Sequence, residues 1–261
     1  MEREQRLVFG EVADVYDRAR PGYPNSVVDE VISRARLQDP RILEVGCGTG
    51  KATVPFAARG HAVMALEPSD EMAAVARRNC LPFPNAEVVV SSFEEWPVSV
   101  GAFDIVICAT AWHWVQPEVR LEKAHAVLGT DGVLALFWHR PDWPGTPLRR
   151  SIDAVYDDVA PDLGARLPGM SPQDVGRRLC VEQLESFDGF GTVEHSRHPW
   201  QRDYSRDEYL DLLATQSDHR LLEPSTRRRL FDGVGRAIDD AGGNLPVEYT
   251  VELYCARKVG G

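Results

Sequence analysis

One short passage constrains this chain more than any other. The apolar run Arg41-Ile42-Leu43-Glu44-Val45 ends in Gly46-Cys47-Gly48-Thr49-Gly50, and a helix-like stretch from Lys51 to Arg59 follows. Glycine lets the backbone turn sharply and approach a ligand without a Cβ in the way, while a helix N-terminus favours anionic groups. In a doubly wound sheet such a loop lies at the carboxyl end of the first strand, where ligands bind.

The first half of the chain keeps repeating that strand-then-helix theme. Ala62 to Leu66 reads as a second buried strand closing at Glu67. Ser69 reads as the N-cap of a helix to about Asn79 that carries Met72, Val75 and Ala76 on one face. Val88 to Val90 and Phe103 to Cys108 read as the third and fourth strands. Pro117 opens a helix with Leu121, Ala124, Val127 and Leu128 inward, and the turn Gly129-Thr130-Asp131-Gly132 leads to a fifth strand, Val133 to Trp138. Strands without polar alternation, joined by helices, predict a parallel sheet covered on both faces: an α/β, doubly wound core over residues 37–140. After His139 the pattern changes. Residues 141–190 are rich in Pro, Gly, Asp and Arg and are read as a helical cap over the sheet, bearing on the substrate. Residues 205–241 are helical again, and Val247, Tyr249, Val251, Leu253 and Cys255 alternate with polar neighbours as a final antiparallel strand does. The expected organisation is an arm and helix over 1–36 closing the site, the core at 37–140, the cap at 141–190, and a remainder at 191–261 that completes the core with C-terminal antiparallel strands.

Charge and composition exclude other classes. With 29 basic against 40 acidic side chains the net charge is −11, which argues against a nucleic-acid partner, because such affinity rests on neutralising phosphates. The longest nearly apolar stretch, Ala102 to Val115, carries Asp104 and His113 and is too short to span a bilayer, and the first residues lack the apolar core of a signal peptide. Five scattered cysteines without a C-x-x-C pair fit reduced thiols. The expectation is a cytoplasmic protein with no membrane and no nucleic-acid partner.

Two nucleoside ligands compete for the glycine loop. A dinucleotide fingerprint needs glycine at position 51, which is Lys51, and the phosphate-loop pattern G-x-x-x-x-G-K-[ST] is absent. Glu44 at the head of the loop is unhelpful near phosphates but suits an ammonium group. Glu67 can accept hydrogen bonds from both hydroxyls of a ribose.

The segment Leu43-Glu44-Val45-Gly46-Cys47-Gly48-Thr49-Gly50 resembles the first motif of the class I S-adenosylmethionine-dependent methyltransferases. The resemblance extends to Leu66-Glu67-Pro68-Ser69-Asp70-Glu71-Met72, to Phe103-Asp104-Ile105-Val106 and to Ala109-Thr110-Ala111-Trp112-His113-Trp114-Val115. Phe9, Tyr16 and Arg20-Pro21-Gly22-Tyr23-Pro24 are similar to the N-terminal arm of the small-molecule branch that includes trans-aconitate-type methyltransferases. The resemblance covers about residues 9–140, and the C-terminal strand fits the family's last hairpin. It implies a Rossmann-like, seven-stranded sheet with a last antiparallel strand, and S-adenosyl-L-methionine as cofactor. By the same resemblance, Glu44, Gly46, Cys47, Gly48, Thr49 and Gly50 hold the methionine portion, Glu67 takes the ribose hydroxyls, and Pro68 and Met72 pack near the adenine. Ser92 and Phe93 stand where the family often has an acidic residue at the adenine amino group; the Phe93 backbone N–H, Glu94 or Glu95 are the substitutes. Ala109 lies beneath the sulfonium, and Tyr16 and Arg20 close over the cofactor, Arg20 meeting its carboxylate.

The function so implied is in-line methyl transfer to a small organic acceptor; metabolite or natural-product O-methylation is one form of it, and the shared core leaves O-, N-, C- and S-methylation all open. The alternative is a regulatory or partner subunit that binds S-adenosylmethionine without transferring its methyl group. His113, on the loop after the fourth strand, is the candidate general base, because its ordinary pKa suits proton removal. Tyr23, Trp112, Trp114, His139 and Trp143 are the candidate acceptor contacts, with His139 expected to face the same cavity as His113. No metal is expected: His195-x-x-His198 lacks the acidic or cysteine companions of a zinc site. A nicotinamide-dependent oxidoreductase is disfavoured by Lys51 and by the lack of a Tyr-x-x-x-Lys constellation.

Overall fold

A computed structural model of the chain describes residues 13–142, 145–164 and 172–260. Among these residues, two helices, α1 (Ala13–Ala19) and α2 (Asn25–Ala35), precede a sheet of seven strands in the order β3-β2-β1-β4-β5-β7-β6. The strands are β1 (Ile42–Val45), β2 (Val63–Glu67), β3 (Ala86–Val90), β4 (Phe103–Ala109), β5 (Leu128–Asp142), β6 (Glu194–Ser205) and β7 (Asn244–Arg257). The first five pair in parallel, and β7 runs antiparallel between β5 and β6. The Rossmann-like sheet with its reversed last strand is thus present. Its helices are α3 (Thr53–Ala57), α4 (Asp70–Cys80), α5 (Pro117–Val127), α6 (Pro147–Val159), the one-turn α7 (Pro161–Gly164), α8 (Pro172–Glu185), α9 (Arg206–Ala214), the short α10 (Ser217–Arg220) and α11 (Pro224–Asp240).

Apolar residues on alternate strand positions build two cores, one on each side of the sheet. Leu43, Val45, Val106, Cys108, Leu134, Leu136 and Trp138 meet Leu121, Ala124 and Val127 of α5 and Cys180 and Leu184 of α8. Ile42, Ile105, Ile107, Val133, Ala135, Phe137, Val251 and Leu253 meet Val27, Val28 and Val31 of α2 and Phe56 of α3. Ser69 does cap α4, its hydroxyl accepting the Met72 N–H, and Pro117 does open α5.

The second half departs from the sequence pattern in three places. The fifth strand does not stop at Trp138: β7 pairs with it as far as Asp142↔Glu248, and that antiparallel ladder extends it. β6 carries a Pro and many charged residues along the open edge, so it lacks a strand's apolar signature, yet β7 pairs with it along its whole length. The segment 141–190 serves two layers. α6 joins α9 and α11 in a third core through Ile152, Leu212, Leu230 and Val234, whereas α8 lies on the α5 side of the sheet. The arm α1 is clamped in place by the ion pair Arg78–Asp14 and by Arg202, which donates to the carbonyls of Arg18, Ala19 and Arg20.

Candidate active site

The glycine loop takes the form its residues require. Gly46, Gly48 and Gly50 all have positive φ, at 70°, 58° and 85°. A Cβ on Gly46 would stand 2.8 Å from Ala111 Cβ, so the first glycine is what lets the loop pass against the segment after β4. Cys47 N–H donates to the Leu66 carbonyl at 2.9 Å, tying the loop to β2. The Cys47 thiol is buried, and burial pushes its pKa well up, which makes it a packing group rather than a nucleophile.

Two carboxylates frame this loop. Glu44 is fully buried; its Oε2 accepts from Thr53 Oγ1 at 2.6 Å, while Oε1 has no hydrogen-bond partner. Burial, aided by the nearby charge of Glu67 and opposed by the Thr53 hydroxyl, raises the Glu44 pKa to about 7. A buried carboxylate with one open oxygen is half of an ion pair, and an ammonium group completes it. Thr49 Oγ1, in the glycine loop, is likewise buried and unpartnered. Glu67 is held differently: Oε2 accepts the Gly48 N–H at 2.8 Å and Oε1 the Ser69 N–H at 3.0 Å. Burial raises its pKa against those two bonds. The carboxylate is locked in orientation with lone pairs to spare.

The remaining cofactor candidates gather around this frame. Met72, 3% exposed, packs with Tyr16, and its Cε would lie 3.5 Å from a Cβ on Gly48. Pro68 is exposed beside Glu67. Val90 pairs with Glu67 across β3 and β2, so Ser92 and Phe93 continue just past that carboxylate. Ser92 Oγ accepts the Glu95 N–H at 3.2 Å, and Glu94 Oε1 accepts the Gln116 N–H at 3.0 Å. Ala109 ends β4, half-buried. Arg20 lies over the Tyr16 ring at 5.1 Å and donates to Thr215 Oγ1 at 2.8 Å and to the Thr215 carbonyl at 3.0 Å, so its guanidinium is seated between the arm and α9.

The acceptor candidates divide. Trp138 and His139 are successive on β5 and face opposite sides of the sheet. Trp138 Nε1–H donates to His113 Nδ1 at 3.5 Å on the side of α8, whose Gly176 would bring a Cβ to 3.3 Å from His113 Cβ. His139 instead stacks on Tyr23, with ring centroids 4.4 Å apart and planes within 13°. The two histidines therefore pack on opposite faces of the sheet, where one shared cavity was expected, and can meet a common ligand only across the sheet's carboxyl edge. Trp112 is also corrected: with no exposed surface it is core, tilted against Phe93, and its carbonyl accepts from Arg120. Trp114 lies half-buried beside His113 at 4.8 Å. Trp143, like Phe9, lies outside the described residues.

Several site residues carried no signal in the sequence. Tyr23 Oη hydrogen-bonds Thr110 Oγ1 at 3.0 Å, and Thr110 has φ 60°, a conformation that costs a β-branched residue about 1–3 kcal/mol. Such strain persists where surrounding contacts enforce it, here including the Thr110 N–H donated to the Phe137 carbonyl at 2.8 Å. Trp200 stacks on Tyr249 at 5.1 Å, and His139 meets both, at 5.5 and 5.7 Å. Only the alternation in β7 hinted at Tyr249; nothing pointed to Trp200. Elsewhere, His195 stacks on Tyr254 and bonds Glu252, and His198 contacts Ser26. Among the described residues no three His, Cys, Asp or Glu side chains gather as a metal site, and no helix is long and apolar enough to cross a membrane.

A methyltransferase-domain family model matches residues 42–132, the stretch from β1 into β5. An uncharacterized methyltransferase of Mycobacterium tuberculosis is 35% identical over 243 residues, covering 90% of this chain and 87% of the relative. The chain belongs to the class I S-adenosylmethionine-dependent methyltransferases. A probable S-adenosylmethionine-dependent methyltransferase of Saccharomyces cerevisiae is 31% identical over 191 residues, covering 69% of this chain and 64% of that one. A solved structure from Anaeromyxobacter dehalogenans, described provisionally as a type II methyltransferase, shares the fold with a TM-score of 0.68 at 23% identity, covering 91% and 97%. This methyltransferase uses S-adenosylmethionine as its methyl donor. Its residues fit that cofactor: the open Glu44 oxygen suits the ammonium group, and the glycine cradle has no room for a side chain at position 46.

Proposed function

We propose that this enzyme methylates a small organic acceptor at oxygen, with the acceptor bound over the carboxyl ends of β4 and β5 and the amino end of β7. When bound, S-adenosylmethionine supplies an electrophilic methyl group: the acceptor's lone pair bonds the methyl carbon as the carbon–sulfur bond breaks, leaving neutral S-adenosylhomocysteine. Glu44 pairs with the ammonium group of the cofactor, and Gly46 to Gly50 line its methionine portion. Glu67 accepts from the ribose hydroxyls, and Met72, Pro68, Ser92 and Phe93 flank the adenine. Tyr16 and Arg20 cover the site, and Ala109 stands under the reacting methyl group.

The observation that carries the small-acceptor reading is the aromatic cluster next to that point. Gly46 passes so near Ala111 that a Cβ would clash, Thr110 bonds Tyr23, and Tyr23 stacks on His139, so one run of neighbours leads from the glycine loop into a largely buried ring cluster. Such a cluster offers ring faces to a small ring or chain, and a net charge of −11 disfavours a polyanionic acceptor. The arm Tyr16 to Pro24 supports the small-molecule branch of the family, and five buried free cysteines support a cytoplasmic setting.

His113 has a narrower role in this reading than general base. With Trp138 donating to Nδ1, the neutral ring carries its proton on Nε2 and acts there as a donor. It orients the acceptor, and the reacting hydroxyl is one that ionises readily by itself, as a phenol or enol does. The test is calorimetric titration with S-adenosylmethionine, S-adenosylhomocysteine and NAD, followed by a screen of small hydroxylated acceptors for S-adenosylhomocysteine release. Binding of both adenosyl ligands and turnover on a small hydroxyl compound are expected. NAD binding alone, or methylation only of nucleic acid, overturns the reading.

A further inference from the structure

Buried polar atoms without partners mark the cofactor end of the site, at Glu44 and Thr49. The same signature recurs at the other end. Neither ring nitrogen of His139 makes a well-formed hydrogen bond, although the Gly22 backbone is near enough to take the ring's N–H, and Trp200 Nε1 has no partner; all three atoms are buried. These side chains touch each other, with ring centroids 5.5 Å apart, and both lean on Tyr249, whose hydroxyl is already taken by Tyr204 at 2.9 Å. A buried donor or acceptor left unmade forfeits its water without recompense, so the remaining His139 nitrogen and the Trp200 N–H together make a place suited to a polar visitor.

The chemistry of the cluster defines that visitor. Burial, with the neighbouring Arg20 charge assisting and the Gly22 backbone opposing, depresses the His139 pKa to about 3, so the ring is neutral; its N–H faces Gly22 and its other nitrogen offers a lone pair. Trp200 offers an N–H only. Arg20 is the nearby charge, and its guanidinium is oriented by Thr215.

We propose that His139 and Trp200 form a specificity subsite for an uncharged donor–acceptor group of the methyl acceptor, such as an alcohol or a carboxamide, remote from the atom that is methylated. His139 accepts the group's hydrogen and Trp200 donates to its oxygen. Tyr23 forms the stacking wall between this subsite and Thr110. The proposal rests on the small-acceptor reading above and adds the recognised group to it.

The test uses four phenols on one frame, bound to the protein loaded with S-adenosylhomocysteine: 4-hydroxybenzyl alcohol, 4-hydroxybenzamide, 4-hydroxybenzoate and 4-methylphenol. Calorimetry should rank the alcohol and the amide at least about tenfold above both the carboxylate and the methyl compound. His139→Phe, which keeps the stack on Tyr23, and Trp200→Phe should each erase that preference while S-adenosylhomocysteine still binds normally. Preference for the carboxylate assigns recognition to Arg20 and overturns the proposal, as does an equal ranking or no binding of any of the four. Should a variant fail to fold, the wild-type ranking decides alone. Turnover in the wider acceptor screen despite a flat ranking leaves the small-acceptor reading intact while the subsite falls; an empty screen removes the reading itself.

Discussion

At the β1–β2 end of the sheet, the contacts that shape the cleft join residues close in sequence: Thr53 to Glu44, Gly48 to Glu67 and Ser69 to Glu67, separated by 9, 19 and 2 positions. At the β5–β7 end they are distant. Tyr23 reaches Thr110 across 87 positions, and His139 packs on Trp200 and Tyr249 from two other strands. The first end is a backbone device with two carboxylates set into it, and few sequences can make it. The second is an assembly of rings that many residues could replace. Cofactor binding is therefore expected to be brittle and acceptor binding adjustable.

The widest gap between the two ends should appear in Glu67→Ala. It removes the partner of two backbone N–H groups and the proposed partner of the ribose, and S-adenosylmethionine affinity should fall by about 100-fold or more by calorimetry. Unchanged affinity would dissolve the distinction between the two ends.

Glu44 gives the next effect, through pH. Its pKa is raised from 4.5 to about 7 in the folded chain, so between those values the folded state holds a proton that the unfolded state has lost. Stability of the cofactor-free protein should fall as pH rises from about 4.5 to 7, by up to about 3 kcal/mol. Urea titrations across that window should show this slope, and Glu44→Gln should flatten it. Cofactor affinity runs the other way: it should strengthen as pH rises through about 7, because the ammonium group needs the carboxylate ionised.

At the acceptor end the effects are smaller. His113→Ala should lower turnover at saturating cofactor by about tenfold, and His113→Gln should restore most of it by supplying an amide N–H. A Gln variant as poor as Ala, with a changed pH profile, would return His113 to the role of base. Tyr23→Phe loses only the bond to Thr110. It should cost about 1 kcal/mol in urea unfolding and leave S-adenosylmethionine affinity alone.

The same contrast explains what the sequence made legible. The five parallel strands, the Ser69 cap and the Pro117 helix start were readable because burial on both faces and capping leave local patterns. β6 was not, because an open edge strand bearing Pro199, His195, Arg197 and Arg202 has no apolar stripe to betray it. Trp112 resembled an acceptor contact only because it neighbours His113; one turn of 3-10 helix sends it inward to full burial.

The sequence by itself determined the loop to which we assign the cofactor. A strand, three glycines forced to positive φ and an acid ending the next strand are set by backbone sterics and hydrogen bonding over a few residues. Only the tertiary structure decided which groups gather at the proposed acceptor site. Alternation along β5 sends Trp138 and His139 to opposite sides, but what waits on each side depends on how α2, α8, β6 and β7 pack: His113 under α8 on one, Tyr23, Trp200 and Tyr249 on the other. Those partners are brought together by burial of apolar surface across the whole chain, which acts without direction and leaves no motif at any one position.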